Sequence, residues 1–324
     1  MKNTRAFPSG GKRILVRGVN WLGDAVMTTP ALQRLRELCP DARIVLLTHQ
    51  KLADIWNAHP AIDGIVSFSP GESPWRIAAR LRPEQFDLAL VFPNSVRSAL
   101  EVFLARIPSR IGYAGSWRRC FLTHPVSRRP EMRVMRKRSR REIENRIRQQ
   151  TVHPTQLPTE AAPPHPMAQS MSHQMHEYLH LVGHLGGNVE PLAPFLQVES
   201  SAVEEARNRF QIAKDRPLFG LNPGAEYGPA KRWPAEKFIQ VATTLHLKTG
   251  CQWLLFGGTG DRALAEQIAG AVESKLSKEL AGKRSDSPVV NLAGRTSLRD
   301  LCALIRSCRV FLTNDTGPMH VAAA

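Results

Sequence analysis

Apolar residues fall into short unbroken runs, separated by stretches in which they recur every third or fourth position. The runs in the first third are Arg13–Val16 (RILV), Arg43–Leu47 (RIVLL), Ile62–Phe68 and Phe86–Phe92 (FDLALVF). Unbroken runs of this length describe strands covered on both faces, since a strand with one wet face alternates. Between them, Thr29–Leu38 spaces Leu32, Leu35 and Leu38 three apart and predicts a helix with Pro30 in its first turn; Ile77–Leu81 predicts another. The last third repeats the design. Leu218–Leu221, Gln252–Phe256, Val289–Leu292 and Val310–Thr313 read as strands. Ala235–Lys248 behind Pro234, Ala263–Leu280 and Ser297–Ser307 read as helices, and a further helix starts just after Gly317. Strands alternating with helices predict an α/β fold built on parallel sheets, with a ligand cleft between two such halves.

The pattern lapses between about Arg128 and Ser172. The first part of that stretch is arginine-rich, and Thr151–Ser172 is rich in Pro, His, Gln and Met, a composition suited to a linker or insertion. Helical periodicity resumes near His176–Leu185. The expected division is therefore a first α/β domain at 1–127, an insertion at 128–175 and a second α/β domain at 176–324. The last apolar segment runs into a helix at Ala324, where a doubly wound domain usually continues, so the second domain is expected to be incomplete.

Composition narrows the class. Hydrophobic residues are 42% of the 324, enough for a sizeable core. No uncharged apolar window has the length of a membrane span (about 18 residues or more), and the basic N-terminus leads into a strand instead of a signal core; a cytoplasmic protein is expected. The five cysteines, Cys39, Cys120, Cys251, Cys302 and Cys308, are scattered with no CxxC pair, which disfavours a zinc site and suits reduced thiols. The formal charge is +16, and ten basic against three acidic residues lie between Arg128 and Arg148. Such a balance favours anionic partners. Nucleic acid is disfavoured, because no Phe, Trp or Tyr interrupts that cluster to stack on bases.

Candidate chemistry sits where strands hand over to helices, the edge at which open α/β sheets bind ligands. Arg17–Asp24 (RGVNWLGD) follows the first strand and sets Asp24 at a helix start, as a base for a hydroxyl or merely as the helix cap. Asn222–Pro234 (NPGAEYGPAKRWP) combines Gly224 and Gly228 with Lys231 and Arg232, a set suited to a diphosphate, or to an ordinary basic loop. Asn314–His320 (NDTGPMH) brings Asp315 for sugar hydroxyls, Thr316 and Gly317 at a helix start for phosphate, and His320; a plain cap is the alternative. Gly257–Asp261 (GGTGD) lines a nucleoside pocket or makes a simple turn. Taken jointly, the last three loops share one sheet edge and suit a nucleoside diphosphate sugar, with the Asp24 loop facing them across the cleft.

These segments resemble glycosyltransferase family 9, the heptosyltransferases. The resemblance rests on WLGDAVMTTPAL (Trp21–Leu32), FPNSVRSAL (Phe92–Leu100), RIGYAG (Arg110–Gly115), PGAEYGPAKRWP (Pro223–Pro234) and NDTGPMHVAAA (Asn314–Ala324), in that order, and the fourth is worded as in the family's type II members. It implies a GT-B fold of two Rossmann-like domains and inverting transfer of L-glycero-D-manno-heptose from ADP-heptose. The implied acceptor is the first heptose of the lipopolysaccharide inner core on Kdo-lipid A, met at the inner face of the inner membrane. By resemblance Asp24 is the general base, and Lys231 neutralises the departing diphosphate. Asn222, Gly224, Ala225, Glu226, Lys231, Gly258, Asp261, Asp315, Thr316, Gly317 and His320 are donor-binding, and Asn20, Trp21, Asn94 and Arg97 lie on the acceptor side. No metal-binding DxD stands in these loops, and no cofactor is implied beyond the donor itself. Related readings are a family member with another acceptor and a non-catalytic remnant that binds donor.

Overall fold

The computed structural model describes residues 13–115, 117–130, 173–225, 231–279 and 287–324. Most of the arginine-rich and Pro/His-rich stretch lies outside them. Strands β1 (Arg13–Arg17), β2 (Arg43–His49), β3 (Gly64–Phe68), β4 (Leu88–Val91), β5 (Ser109–Tyr113) and β6 (His124–Val126) form a sheet ordered β3-β2-β1-β4-β5-β6. β7 (Leu218–Asn222), β8 (Gln252–Leu255), β9 (Val289–Asn291) and β10 (Val310–Thr313) form a second, ordered β10-β7-β8-β9. Every pairing in both sheets is parallel, as the unbroken apolar runs predict. Strand order reverses between β1 and β4 and again between β7 and β10. At such a reversal neighbouring loops part and leave a crevice at the carboxyl ends of the strands.

The helices are α1 (Leu22–Leu38), α2 (Pro74–Leu81), α3 (Val96–Leu104), α4 (Met175–Gly183), α5 (Ser200–Arg209), α6 (Ala235–Thr249), α7 (Arg262–Glu279), α8 (Leu298–Ser307) and α9 (Gly317–Ala323). One apolar cluster joins the two halves, with Leu32 of α1, Val182 of α4, Leu304 of α8 and Val321 of α9 among its members. The other face of the first sheet packs under α2 and α3 through Ile77, Ala99 and Val102. A third cluster, around Trp253, Phe238 and Ile268, fills the far face of the second sheet. Although α4 follows the interruption in the pattern, it packs on the first sheet: Tyr113 donates from its hydroxyl to the Glu177 carbonyl at 2.8 Å, and the Phe92 and Tyr178 rings lie 5.2 Å apart.

One expectation needs correcting. α1 begins at Leu22, well before Thr29, and Pro30 lies inside it and not in its first turn. Proline removes the N–H that would bond the carbonyl of Val26. Here the Thr29 hydroxyl donates to that carbonyl at 2.8 Å and accepts the amide of Phe195 at 3.0 Å. The hydroxyl therefore replaces the missing donor and lets the helix run through. Four elements go beyond the sequence expectation: α3, α5, β5 and β6. α3 starts behind Ser95, whose hydroxyl accepts the Ser98 amide at 3.1 Å.

Candidate active site

The crevice of the second sheet is laced together by asparagine. Asn222, the last residue of β7, donates from its side chain to Thr316 Oγ1 at 3.2 Å and Thr313 Oγ1 at 3.3 Å. Asn314, buried at the end of β10, donates to the carbonyl of Pro223 at 2.8 Å and accepts the amide of Trp233 at 3.0 Å. The loops after β7 and β10 and the start of α6 are thus one unit. Lys231 Nζ lies 2.7 Å from Asp315 Oδ2, both groups largely exposed, and this hydrogen bond holds the Asp315 carboxyl below the ordinary carboxylate range.

The loop after β8 joins the same unit through Asp261. Its Oδ2 accepts the Gly258 amide at 3.0 Å, and its Oδ1 lies 3.8 Å from Arg232. A Cβ on Gly224 would stand 2.5 Å from Asp261 Oδ2, so the carboxylate packs closely over this glycine. Arg232 also donates to the Ala225 carbonyl at 3.2 Å. Glu226 and Gly228 lie outside the described residues.

Asp24 occupies the first turn of α1, where the cap is Trp21 and not Asp24 itself. It is half-buried, and burial raises its pKa, partly offset by His320. His320, in α9, has its pKa lowered first by burial and raised by Asp315 and Asp24. The two side chains come from opposite halves and act on each other electrostatically; the His320 ring packs over Gly23, where a Cβ would stand 2.6 Å from His320 Cδ2. Gly317 is likewise held against α1, since a Cβ on it would approach Leu22 Cβ to 3.0 Å.

On the first sheet the crevice between the β1 and β4 loops is organised by a side chain that periodicity does not reveal. Arg17 is buried at the end of β1, and its Nε donates to Glu101 Oε2 of α3 at 2.8 Å. Its Nη1 donates to Asn20 Oδ1 at 3.0 Å and to the Gly18 carbonyl. Asn94 Oδ1 accepts from the buried Arg118 at 3.0 Å, and Arg97 Nε donates to Glu101 Oε1 at 3.0 Å. Trp21 is 45% exposed, with the Lys51 ammonium 4.9 Å from its ring centre. Of the residues expected on this side, Asn20 and Arg97 are connected through the Arg17–Glu101 pair. Asn94 lies at the neighbouring strand end, held by Arg118. Glu101, Lys51 and Arg118 were not singled out from the sequence, and Arg17 and Asn314 entered only as the first residues of candidate segments. Only a basic residue ending a buried strand could have flagged Arg17.

Two parallel α/β sheets, with Asp24 of one half in the field of His320 of the other, form the two-domain arrangement of a GT-B fold. Residues 74–324 match glycosyltransferase family 9 (heptosyltransferase), and the chain belongs to that family. Lipopolysaccharide heptosyltransferase 2 of Escherichia coli K12 is 30% identical over 318 residues, covering 96% of this chain and 80% of that protein. Lipooligosaccharide heptosyltransferase 2 of Haemophilus ducreyi is 29% identical over 322 residues with the same coverage. The solved structure of E. coli ADP-heptose lps heptosyltransferase II superposes with a TM-score of 0.70 at 28% identity, over 96% of this chain and 81% of that one. E. coli heptosyltransferase WaaC with ADP shares the fold, at a TM-score of 0.61 and 16% identity over 96% and 84% of the two chains.

Proposed function

We propose that this chain transfers L-glycero-D-manno-heptose from ADP-heptose to the first heptose of the lipopolysaccharide inner core, with inversion at the anomeric carbon. The observation that carries the reading is that Asp24 of the first half stands in the field of His320 of the second, whose helix follows the loop that ties Asn222, Asn314, Lys231 and Asp315 together. On this reading the first sheet, with α4 packed on it, supplies the acceptor side and the second sheet the donor side; in sequence 128–175 separate 1–127 from 176–324.

Asp24 takes the proton from the acceptor hydroxyl as its oxygen attacks the anomeric carbon, and a carboxylate whose pKa is raised by burial accepts that proton more readily. The bond from the anomeric carbon to the diphosphate oxygen breaks, and ADP leaves with the electron pair. Lys231 meets the charge that develops on the leaving oxygens. A diphosphate competes with Asp315 for Lys231, so donor binding exchanges one anionic partner for another and frees Asp315 to accept from sugar hydroxyls. Gly258 and Asp261 line the nucleoside side. Asn20, Trp21, Asn94 and Arg97 face the acceptor, which is carried on Kdo-lipid A; the protein works in the cytoplasm, peripherally at the inner face of the inner membrane.

The test is direct. Protein incubated with ADP-heptose and an acceptor ending in one heptose is expected to release ADP and extend the acceptor by one heptose in a mass spectrum. An unextended acceptor, where a competent control enzyme extends it, rejects the reading.

A further inference from the structure

The loops at the carboxyl edge of the first sheet carry large apolar side chains that no described residue covers. Trp75, in the first turn of α2, is 65% exposed, and Trp117, in the loop after β5, is 85% exposed. Val96 opens α3 between them at 42% exposed. An indole left in water needs explaining, because burial of so large a ring is strongly favourable. Trp117 is moreover held in the left-handed region, at φ 63°, which a bulky residue rarely adopts without support from its surroundings.

These residues form one surface. Arg97 of α3 donates to the Glu72 carbonyl in the loop before Trp75. Arg118, next to Trp117, donates to Asn94 in the loop before Val96. α2 and α3 cover the face of the sheet whose apolar cluster contains no residue of the second half. That face of the sheet is therefore turned away from the second half. Interleaved with the apolar residues are exposed Arg76 and Arg119, together with Arg97. Among the described residues the acid nearest in sequence, Glu72, is already engaged by Arg80 at 3.0 Å. Exposed indoles among arginines with no free acid match the boundary of an anionic bilayer, where indoles sit at headgroup level and guanidiniums meet phosphates.

We propose that this edge, through Trp75, Val96 and Trp117 with Arg76 and Arg119, is the surface by which the protein docks on an anionic phospholipid bilayer. The inference rests on the reading of a lipid-linked acceptor. That acceptor enters at the same carboxyl edge, because the Asp24 loop leaves β1 there. The protein need not extract its acceptor from the bilayer; it lies against the headgroups with the β1 crevice over them.

The experiment compares full-length wild type, W75S/W117S and R76E/R119E in co-sedimentation with phosphatidylcholine vesicles and with vesicles also containing phosphatidylglycerol. Wild type is expected to prefer the anionic vesicles. W75S/W117S is expected to lose on the order of tenfold in partitioning, and R76E/R119E to lose the preference for anionic lipid. As a second readout that keeps an apolar ring at both sites, brominated phosphatidylcholine in anionic vesicles is expected to quench wild-type tryptophan emission, and the quench to disappear in W75F/W117F. Transfer to a water-soluble, deacylated acceptor is expected to be unchanged in these variants, while transfer to a vesicle-embedded acceptor falls. Undiminished vesicle binding by W75S/W117S, or quenching that persists in W75F/W117F, overturns the docking surface. Failure of wild type to extend the soluble acceptor overturns the functional reading instead and leaves the vesicle result standing.

Discussion

Asp24 illustrates how a side chain suited to chemistry costs the fold something. Its pKa lies above the ordinary carboxylate value because burial outweighs the attraction of His320. The native state thus holds the proton more tightly than the unfolded chain does, and the favourable contribution, full below the unfolded value of 3.8, is lost as pH rises through the folded pKa. At neutral pH the ionised, half-buried carboxylate weakens the structure. D24N is therefore expected to melt higher than wild type at pH 7 while losing at least about 10²-fold in transfer, with ADP binding retained. Calorimetry across pH checks the sign: the difference in melting temperature shrinks toward acid. In wild type the acid limb of kcat/KM is expected at a pH above 3.8. The Arg17–Glu101 pair behaves differently. E101L leaves a buried guanidinium without its counter-charge and is expected to lose about 3–5 kcal/mol in urea unfolding. R17M/E101L recovers most of that stability, but transfer stays low, because Asn20 and the Gly18 carbonyl have lost the donor that fixes the Asp24 loop. The placement of Asp24, Lys231 and Asp315 was legible in the sequence because their charges closely follow the carboxyl ends of strands. Arg17 with Glu101 and Asn314 with Pro223 were not, since each contact joins positions far apart in the chain and leaves no local pattern.

At the scale of elements, buried parallel strands announce themselves as unbroken apolar runs, and β1, β2, β4, β7, β8 and β10 stand where such runs fall. β6 is a three-residue edge strand containing Pro125, and α5 is dominated by polar residues, so neither carries a strong period. The start of α1 was hidden for another reason. Proline at position 30 imitates a helix opening, and only the Thr29 hydroxyl, supplied to the carbonyl of Val26, shows that the helix passes through. T29V keeps the volume and removes that group. It leaves the Val26 carbonyl and the Phe195 amide without their partner, and it is expected to destabilise by roughly 1–3 kcal/mol in thermal or urea unfolding. A stability equal to wild type rejects this account of Pro30.

For the whole molecule, the alternation of strands and helices was enough to foresee two parallel sheets, but not how the halves meet. That depends on glycines which look like loop residues in the sequence. Gly23 admits the His320 ring, and Gly317 admits Leu22, so α1 and α9 approach closely only because neither position has a side chain. In G23A the better helix former is opposed by a contact of 2.6 Å with His320. The ring has to shift from its place over Gly23. The variant is expected to fold and to bind ADP nearly as wild type, with transfer reduced by roughly tenfold or more through lost positioning. Normal turnover in G23A removes His320 from the working geometry.

That Asp24 and His320 come from opposite halves also bears on the time before the molecule is finished. On the proposed roles, the group that activates the attacking hydroxyl is translated before the loops that grip the nucleotide sugar. A nascent or proteolytically nicked fragment holds one or the other, so partial products are chemically silent and cannot waste activated sugar on water.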